Sequence, residues 1–285
     1  MKTLSSNGLP LPFTPDLFAP LRDSTDLYGR PDALRERLAS DGYLYLRGVL
    51  DRAEVLRLRG AYFSLFDPAY LAPGTTPEEG VFSGRVPDGL PPHGMPGHPA
   101  HAFVRSRTFR EFVGSPVLAK LAEAALGGSA ELLPRRILRH FHRGAHRASR
   151  AHVDLDYLDA GSDRLVTMWI PGGDCPLEAG ALVYLEGSHT LRADEYAPLR
   201  ATSDRPHDRR PITHDLELLA TRLGRRWLWA DFSAGDVMVH VPRMVHASVD
   251  TATDAMRLSV DIRFLPAGAA ADPRWLRAWS ADDGA

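Results

Sequence analysis

The sequence places an imidazole and a carboxylate two residues apart, at His152 and Asp154. In an extended strand, residues i and i+2 point to the same face, so a strand over residues 152–158 would present both side chains to one site. Two histidines and one carboxylate are the ligand set that holds non-heme iron(II) and leaves coordination positions open. The chain has 12 histidines, so the pair alone is weak evidence and needs support from elsewhere in the sequence.

A third metal ligand would be a histidine well downstream, and His240 and His246 are the two candidates. We favour His246 because Arg257 and Ser259 follow it and would share one face of a later strand. A guanidinium binds a carboxylate through two parallel hydrogen bonds, and a serine hydroxyl adds a further donor. A dicarboxylate that chelates a metal at one end needs such a group at its other end. These residues indicate an iron(II) site that uses 2-oxoglutarate, with His240 as the alternative ligand.

Composition and charge argue against several other classes of function. The chain has 285 residues and a formal net charge of -2, and it lacks the basic stripe typical of nucleic-acid binding. Its single cysteine, Cys175, excludes an internal disulfide and a thiolate zinc site. No apolar run reaches membrane-spanning length and the N-terminus lacks a signal-peptide core, so we expect a cytoplasmic protein that contacts no membrane. The sequence leaves the oligomeric state open.

The order of the predicted elements indicates a single domain over residues 1–285. Residues 1–30 are rich in proline, glycine and polar residues and are predicted to be an irregular arm. Residues 31–130 are predicted to be mainly helical. They contain a loop at 67–100 that lacks periodicity and is rich in proline and glycine, so we interpret it as a lid over a substrate pocket or as a plain solvated loop.

The second half of the chain is predicted to be β-rich. Residues 131–266 alternate short apolar runs with turn signals, apart from a polar insertion at 192–226, and a tail follows at 267–285. Helices followed by eight short strands favour a mostly β fold with flanking helices, whose core is a double-stranded β-helix, or cupin-like jelly roll. The predicted strands are 136–142, 152–158, 165–171, 181–185, 227–231, 237–241, 246–250 and 257–265.

Several blocks of residues 32–265 resemble the phytanoyl-CoA dioxygenase family of iron(II)- and 2-oxoglutarate-dependent oxygenases. One block resembles the family's opening strand after an Asp-Gly turn, three resemble its central region, and one resembles its last region. Together these blocks are far more specific than the His152 and Asp154 pair alone. They are DGYLYLRGV at 41–49, TMWIP at 167–171, EAGAL at 178–182, EGSH at 186–189, and Gly235-Asp236 with His246 after it.

The resemblance implies roles for residues at matching positions. The implied metal triad is His152, Asp154 and His246, and the implied cofactors are Fe(II), 2-oxoglutarate and O2. The residues implied or expected to bind 2-oxoglutarate are Arg257 for the distal carboxylate, with Ser259, Ser248, Thr167 and Arg139 as further contacts.

The resemblance also implies the reaction. We expect oxidation of an unactivated C–H bond of a small molecule, by hydroxylation or by oxidative C–O ring closure such as orthoester formation on an oligosaccharide antibiotic. Similarity to bacterial tailoring oxygenases suggests a secondary metabolite. An acidic cluster is compatible with two interpretations, a solvated acidic loop or a contact to a cationic or hydroxyl-rich substrate such as an aminosugar-containing oligosaccharide. Its members are Asp154, Asp156, Asp159 and Asp163.

Two other classes of protein are compatible with parts of the pattern. A cupin-like binding module without catalysis predicts a broken triad or no arginine at position 257, whereas both features are intact. A zinc-dependent hydrolase with the same two-histidine, one-carboxylate site would need a nearby general base and gives Arg257 no role.

Overall fold

A computed structural model of the chain describes residues 2–145, 148–204, 208 and 210–281. The strands in these residues are β1 (Thr3–Ser6), β2 (Leu9–Pro12), β3 (Phe18–Pro20), β4 (Tyr43–Leu46), β5 (Ala130–Leu132), β6 (Ile137–Phe141), β7 (Val166–Pro171), β8 (Leu182–Leu185), β9 (Trp227–Trp229), β10 (Val237–His240), β11 (His246–Ser248) and β12 (Arg257–Pro266). The helices are α1 (Pro31–Asp41), α2 (Arg52–Phe63), α3 (Pro99–Phe103), α4 (Arg107–Val113), α5 (Pro116–Leu126), α6 (Ala193–Tyr196) and α7 (Leu216–Leu223).

Two sheets form the core. The larger sheet has the order β4-β10-β7-β12-β5, and β6 also pairs with the first half of β12. All of its pairings are antiparallel. The smaller sheet has the order β11-β8-β9-β3, in which β3 runs parallel to β9. This mostly β core with flanking helices confirms the predicted jelly roll.

Alternation along the strands gives the larger sheet two different faces. One face packs with α2 and α5 in an apolar cluster that includes Met168, Ile170, Val260 and Ile262. The opposite face of β7 and β10 packs with the smaller sheet in a second cluster, to which Trp169, Met238, Tyr184 and Trp227 belong.

On β12, however, the second face is a polar row that is buried between the sheets: Arg257, Ser259, Asp261 and Arg263. Burying such groups is unfavourable unless each finds a partner, so this row marks a specialised region.

Caps fix the ends of the helices that cover the larger sheet. The Asp51 carboxylate accepts a hydrogen bond from the Ala53 N–H at the start of α2, at 2.7 Å. Ser115 caps α5 in the same way. Gly42 and Gly127 end α1 and α5 with φ values of 78° and 77°, a left-handed conformation that glycine adopts without steric penalty.

The N-terminal segment is not the irregular arm that we predicted. β1 and β2 form a hairpin around Asn7 and Gly8, which have φ values of 51° and 79°. An Asn-Gly pair favours this kind of tight hairpin turn. The Asp250 carboxylate accepts hydrogen bonds from the N–H groups of Asn7 and Gly8, at 3.0 and 2.9 Å, so the hairpin is tied to the segment after β11.

The loop at 67–100 is anchored over its first half. Isolated bridges join Leu71 to Phe82 and Val81 to Ala255. The buried Arg59 of α2 donates hydrogen bonds to the carbonyls of Glu79 and Gly80. These contacts hold residues 71–82 against the rest of the fold. Residues 192–226 contain α6, α7 and a 3-10 helix at Ala197–Thr202.

Candidate metal centre

His152 and His246 come together through a single bridge between two chain segments. Each residue's N–H donates to the other's carbonyl at 3.0 Å, and the two ring centroids are 4.2 Å apart. The predicted strand at 152–158 does not form, because the chain turns after Val153 into a 3-10 helix, Asp154–Tyr157. Val153 itself is extended, with φ -113° and ψ 140°, so His152 and Asp154 still share a face as alternation predicts, and the 3-10 helix redirects the chain only from Asp154 onward. Asp154 Oδ1 lies 3.9 Å from the Nε2 atom of each ring.

Both histidines are oriented by backbone carbonyls. His152 Nδ1 lies 2.7 Å from the Arg150 carbonyl oxygen, and His246 Nδ1 lies 3.0 Å from that of Met244. Because a carbonyl can only accept, these contacts place the proton on Nδ1 and leave the Nε2 lone pair facing Asp154. Burial lowers the pKa of His152 and holds that of His246 well below its usual value, so both rings are neutral at pH 7. A neutral imidazole is the form that binds a metal.

Asp154 is held by three neighbours. Arg263 Nη2 donates to Oδ1 at 2.9 Å, Thr167 Oγ1 donates to Oδ2 at 2.5 Å, and His240 Nε2 lies 3.4 Å from Oδ2. Burial alone would raise the pKa of this carboxyl, but Arg263, His240 and His246 outweigh it and hold the pKa well below the usual range. Asp154 is therefore a buried, ionised carboxylate with a fixed orientation.

These side chains form a donor set that fits a divalent transition metal. The ligand atoms of His152, Asp154 and His246 all lie within 4.8 Å of one another, and the cluster is largely buried. Two imidazoles and one carboxylate on a shared face match the ligand set of non-heme iron(II). His240, the alternative ligand predicted from the sequence, instead contacts Asp154 Oδ2 through its Nε2 atom, at 3.4 Å. Its Nδ1 atom lies 3.3 Å from the Tyr184 hydroxyl.

Arg257 lies at the other end of the polar row and is 2% exposed. Its guanidinium carbon is 5.0 Å from the centroid of the Phe141 ring and 5.6 Å from that of Trp169. It donates to the Gly180 carbonyl at 2.7 Å and to Ser259 Oγ at 3.3 Å, while its Nε is buried without an acceptor. Burial lowers the pKa of Arg257 to about 10, so it stays charged at pH 7. A buried cation with an unused N–H suits an anionic ligand.

The remaining residues predicted to bind 2-oxoglutarate have partners within the protein. Thr167 donates to Asp154, and Ser248 Oγ accepts from the Ser149 N–H at 2.7 Å. Arg139 forms an ion pair with Asp261, with 3.0 Å between Nε and Oδ2. The structure thus brings Arg257 and Ser259 into contact, whereas each of the other three residues contacts a partner elsewhere in the protein.

Sequence reasoning did not identify Asp261 as part of this region or Arg263 as a partner of Asp154. The signal was present, because Arg257, Ser259, Asp261 and Arg263 alternate with apolar residues along one strand. A polar residue at every second position of a buried strand indicates a face that lines a site.

The acidic cluster that suggested a cationic substrate is largely paired. Asp156 forms an ion pair with Arg200, and Asp163 lies 3.7 Å from Arg243. Asp154 belongs to the metal centre described above. Asp154, Asp156 and Asp163 therefore each contact an arginine of the protein itself, and these three do not support a cationic substrate.

The jelly roll and the buried His-Asp-His group define a class of protein: a non-heme metal-dependent oxygenase. The chain belongs to the phytanoyl-CoA dioxygenase (PhyH) family, whose model matches residues 38–259. It is an Fe(II)- and 2-oxoglutarate-dependent dioxygenase that uses O2, as the sequence predicted. Membership of this family favours the oxygenase over the two alternatives, the non-catalytic binding module and the zinc hydrolase.

Solved structures share the fold. The non-heme α-ketoglutarate-dependent epimerase SnoN from nogalamycin biosynthesis is 24% identical over 86% of each chain, with a TM-score of 0.59. The carbocyclase SnoK from the same biosynthesis is 19% identical, covers 89% of this chain and 90% of its own, and has a TM-score of 0.59. EvdO2 from Micromonospora carbonacea var. aurantiaca, complexed with 2-oxoglutarate, is 24% identical over 86% of this chain and 96% of its own, with a TM-score of 0.53.

Two further comparisons are negative. No curated protein matches this sequence significantly. Among the residues that the structure describes, no helix combines the length and the apolar character needed to cross a membrane.

Proposed function

We propose that His152, Asp154 and His246 bind the Fe(II) ion and that Arg257, assisted by Ser259, binds the distal carboxylate of 2-oxoglutarate. The observation that carries the proposal is the pairing of a buried His-Asp-His group with a buried arginine that has an unused N–H. Fe(II) and 2-oxoglutarate together supply the oxidising chemistry, in which O2 is consumed and 2-oxoglutarate is converted to succinate and CO2.

The protein's own residues contribute orientation and exclusion of water. Arg263 and Thr167 each donate a hydrogen bond to one oxygen of Asp154, so the carboxylate is already oriented before a metal binds. Phe141 and Trp169 enclose the guanidinium of Arg257. In such a partly dry setting, a charge-assisted hydrogen bond to a carboxylate is stronger than it would be in water.

The proposed reaction is oxidation of a C–H bond of a small natural product, by hydroxylation or by oxidative C–O ring closure such as orthoester formation. Support comes from neighbours of the same fold that act in nogalamycin biosynthesis, one of which was solved with Fe3+, α-ketoglutarate and nogalamycin RO. We extend the proposal to a sugar-containing secondary metabolite, such as an oligosaccharide antibiotic.

The proposal is tested by anaerobic titration with Fe(II) and 2-oxoglutarate, following the weak visible charge-transfer band of the complex. A charge-assisted hydrogen bond contributes roughly 1.5–3 kcal/mol, so Arg257→Ala should weaken 2-oxoglutarate binding by at least about tenfold. Iron affinity should change little, because Arg257 donates no ligand to the metal. Arg257→Lys should recover only part of the affinity, since an ammonium lacks the planar fork.

A matched control is Arg52→Ala, which removes an exposed arginine that pairs with Asp174 outside the site. It should leave 2-oxoglutarate affinity unchanged. Unchanged affinity in Arg257→Ala would place the carboxylate anchor elsewhere. Loss of iron and 2-oxoglutarate binding together would make Arg257 a structural residue.

A further inference from the structure

A second carboxylate, Asp261, lies in the wall of the proposed cosubstrate region. It is on the same face of β12 as Arg257 and Ser259, four residues beyond Arg257 and two before Arg263, and it is 7% exposed. Its position along the strand is therefore between the arginine that we assign to 2-oxoglutarate and the arginine that holds the metal ligand Asp154.

Electrostatic effects agree with this position. Burial raises the pKa of the Tyr184 phenol well above its usual value, and Asp261 and Asp154 both raise it further. The Tyr184 phenol is thus influenced by two carboxylates, Asp154 at the metal centre and Asp261 on the wall. Asp261 also favours the charged form of Arg257, although burial is the larger influence on that pKa.

A dianionic cosubstrate that spans from Arg257 to the metal centre would lie along a wall that carries a third carboxylate. Like charges at short range in a low-dielectric site repel strongly. The site therefore requires a cation that offsets Asp261, and Arg257 and Arg263 are already assigned to other carboxylates.

Arg139 supplies this cation. It stands opposite Ser259 in the register of β6 and β12, and its Nε reaches Asp261 Oδ2 at 3.0 Å. The Asp261 side chain is 10% exposed and that of Arg139 is 32% exposed, so the pair runs from the wall toward solvent.

We propose that Arg139 is a positioning residue that neutralises Asp261, rather than a residue that binds 2-oxoglutarate itself. This inference rests on the proposed function, because it assumes that the dicarboxylate lies between Arg257 and the metal centre. It reassigns a residue that the sequence analysis placed among the cosubstrate ligands. The two roles, neutralising Asp261 and binding 2-oxoglutarate directly, predict different 2-oxoglutarate affinities when both Arg139 and Asp261 are replaced.

The test is a double-mutant cycle on 2-oxoglutarate affinity, measured anaerobically with Fe(II) by the charge-transfer band and by calorimetry. Arg139→Gln should weaken binding by about tenfold or more, since it exposes the ligand to an uncompensated carboxylate. Asp261→Asn alone should bind 2-oxoglutarate at least as tightly as the natural protein. The double variant should return to within about threefold of the natural affinity, because no charge is left to neutralise.

A conservative variant separates charge from geometry. Arg139→Lys should keep most of the affinity, because an ammonium neutralises Asp261 although it cannot form a planar fork. Circular dichroism and thermal unfolding of each variant check that the fold is intact. If Arg139→Gln does not fold, Arg139→Lys and Asp261→Asn carry the test on their own, since weak binding by either contradicts a neutralising role.

Two results would overturn the proposal. A double variant as weak as Arg139→Gln would show that Arg139 binds 2-oxoglutarate directly. Natural affinity in Arg139→Gln would show that Asp261 needs no neutralisation. Both are distinct from failure of the proposed function, which appears as unchanged 2-oxoglutarate affinity in Arg257→Ala.

Discussion

Replacement of Arg263 by methionine probes a buried ion pair at the metal centre. The Arg263 and Asp154 side chains are 5% and 3% exposed, and their charged atoms are 2.9 Å apart. Removing one partner of such a pair costs about 3–5 kcal/mol of folding free energy, because the other charge stays buried without compensation. Thr167 and His240 still contact Asp154 in the variant, so we expect the lower end, about 3 kcal/mol.

The metal should change this loss in a defined direction. In the natural protein, an arriving cation meets a carboxylate oxygen that already binds a guanidinium. In Arg263→Met that repulsion is absent and the metal supplies the missing positive charge. A ligand that binds only the folded state stabilises it according to its affinity. We therefore expect Arg263→Met to lower the free energy of unfolding by at most half as much in the metal-loaded form as in the metal-free form.

The assay is urea unfolding of the metal-free and the Co(II)-loaded forms at pH 7.5, with thermal unfolding in parallel. For a chain of this size, a loss of about 3 kcal/mol corresponds to a decrease of about 6 °C in Tm. Arg263 also lies over the Trp275 ring at 4.1 Å, so Trp275→Leu serves as the control for the loss of that contact. Equal losses with and without metal would assign the effect to packing, and no loss in the metal-free form would refute the reasoning about Asp154.

Two further predictions follow from the site and from the histidines outside it. Single alanine variants of the triad, His152, Asp154 and His246, should each lose iron binding by calorimetry while keeping the fold, and a fully active His246→Ala enzyme would return the ligand role to His240. Burial lowers the pKa of His98 to about 4, so the unfolded chain binds this proton first as pH falls, and His98 contributes a loss of about 3 kcal/mol in the free energy of unfolding between pH 6.5 and 4. His98→Asn keeps an acceptor for the Ala100 N–H and should flatten that loss in urea unfolding; an unaltered pH profile would contradict the assignment.

Much of the β core was predictable from local sequence. The predicted strands at 165–171 and 257–265 correspond to Val166–Pro171 and Arg257–Pro266. Apolar side chains at alternating positions, bounded by turn residues, determine both the strand and the face that it buries. The Asn7-Gly8 hairpin carried an equally local signal, but short flanking strands in a proline-rich segment concealed it.

The candidate site was predictable in its residue types but not in its geometry. The sequence selected His152, Asp154 and His246, and the folded chain brings their ligand atoms within 4.8 Å of one another. The predicted alternation holds across Val153, which is extended, but the predicted strand at 152–158 is wrong beyond it, because a 3-10 helix begins at Asp154. The bridge between His152 and His246 is a long-range pairing, and no property of residues 152–158 alone encodes it.

The sequence by itself determined the alternation of strands and turns, the helix caps, and the set of residue types that suits iron(II) and 2-oxoglutarate. The tertiary structure decided which partner each polar side chain meets. Asp154 and Arg263 are 109 residues apart in the chain, and Arg139 and Asp261 are 122 apart. Secondary structure depends on neighbours within a few residues, whereas the partner of a buried charge depends on which distant strands share a face. The partners of Thr167, Ser248 and Arg139 therefore became apparent only in the folded chain.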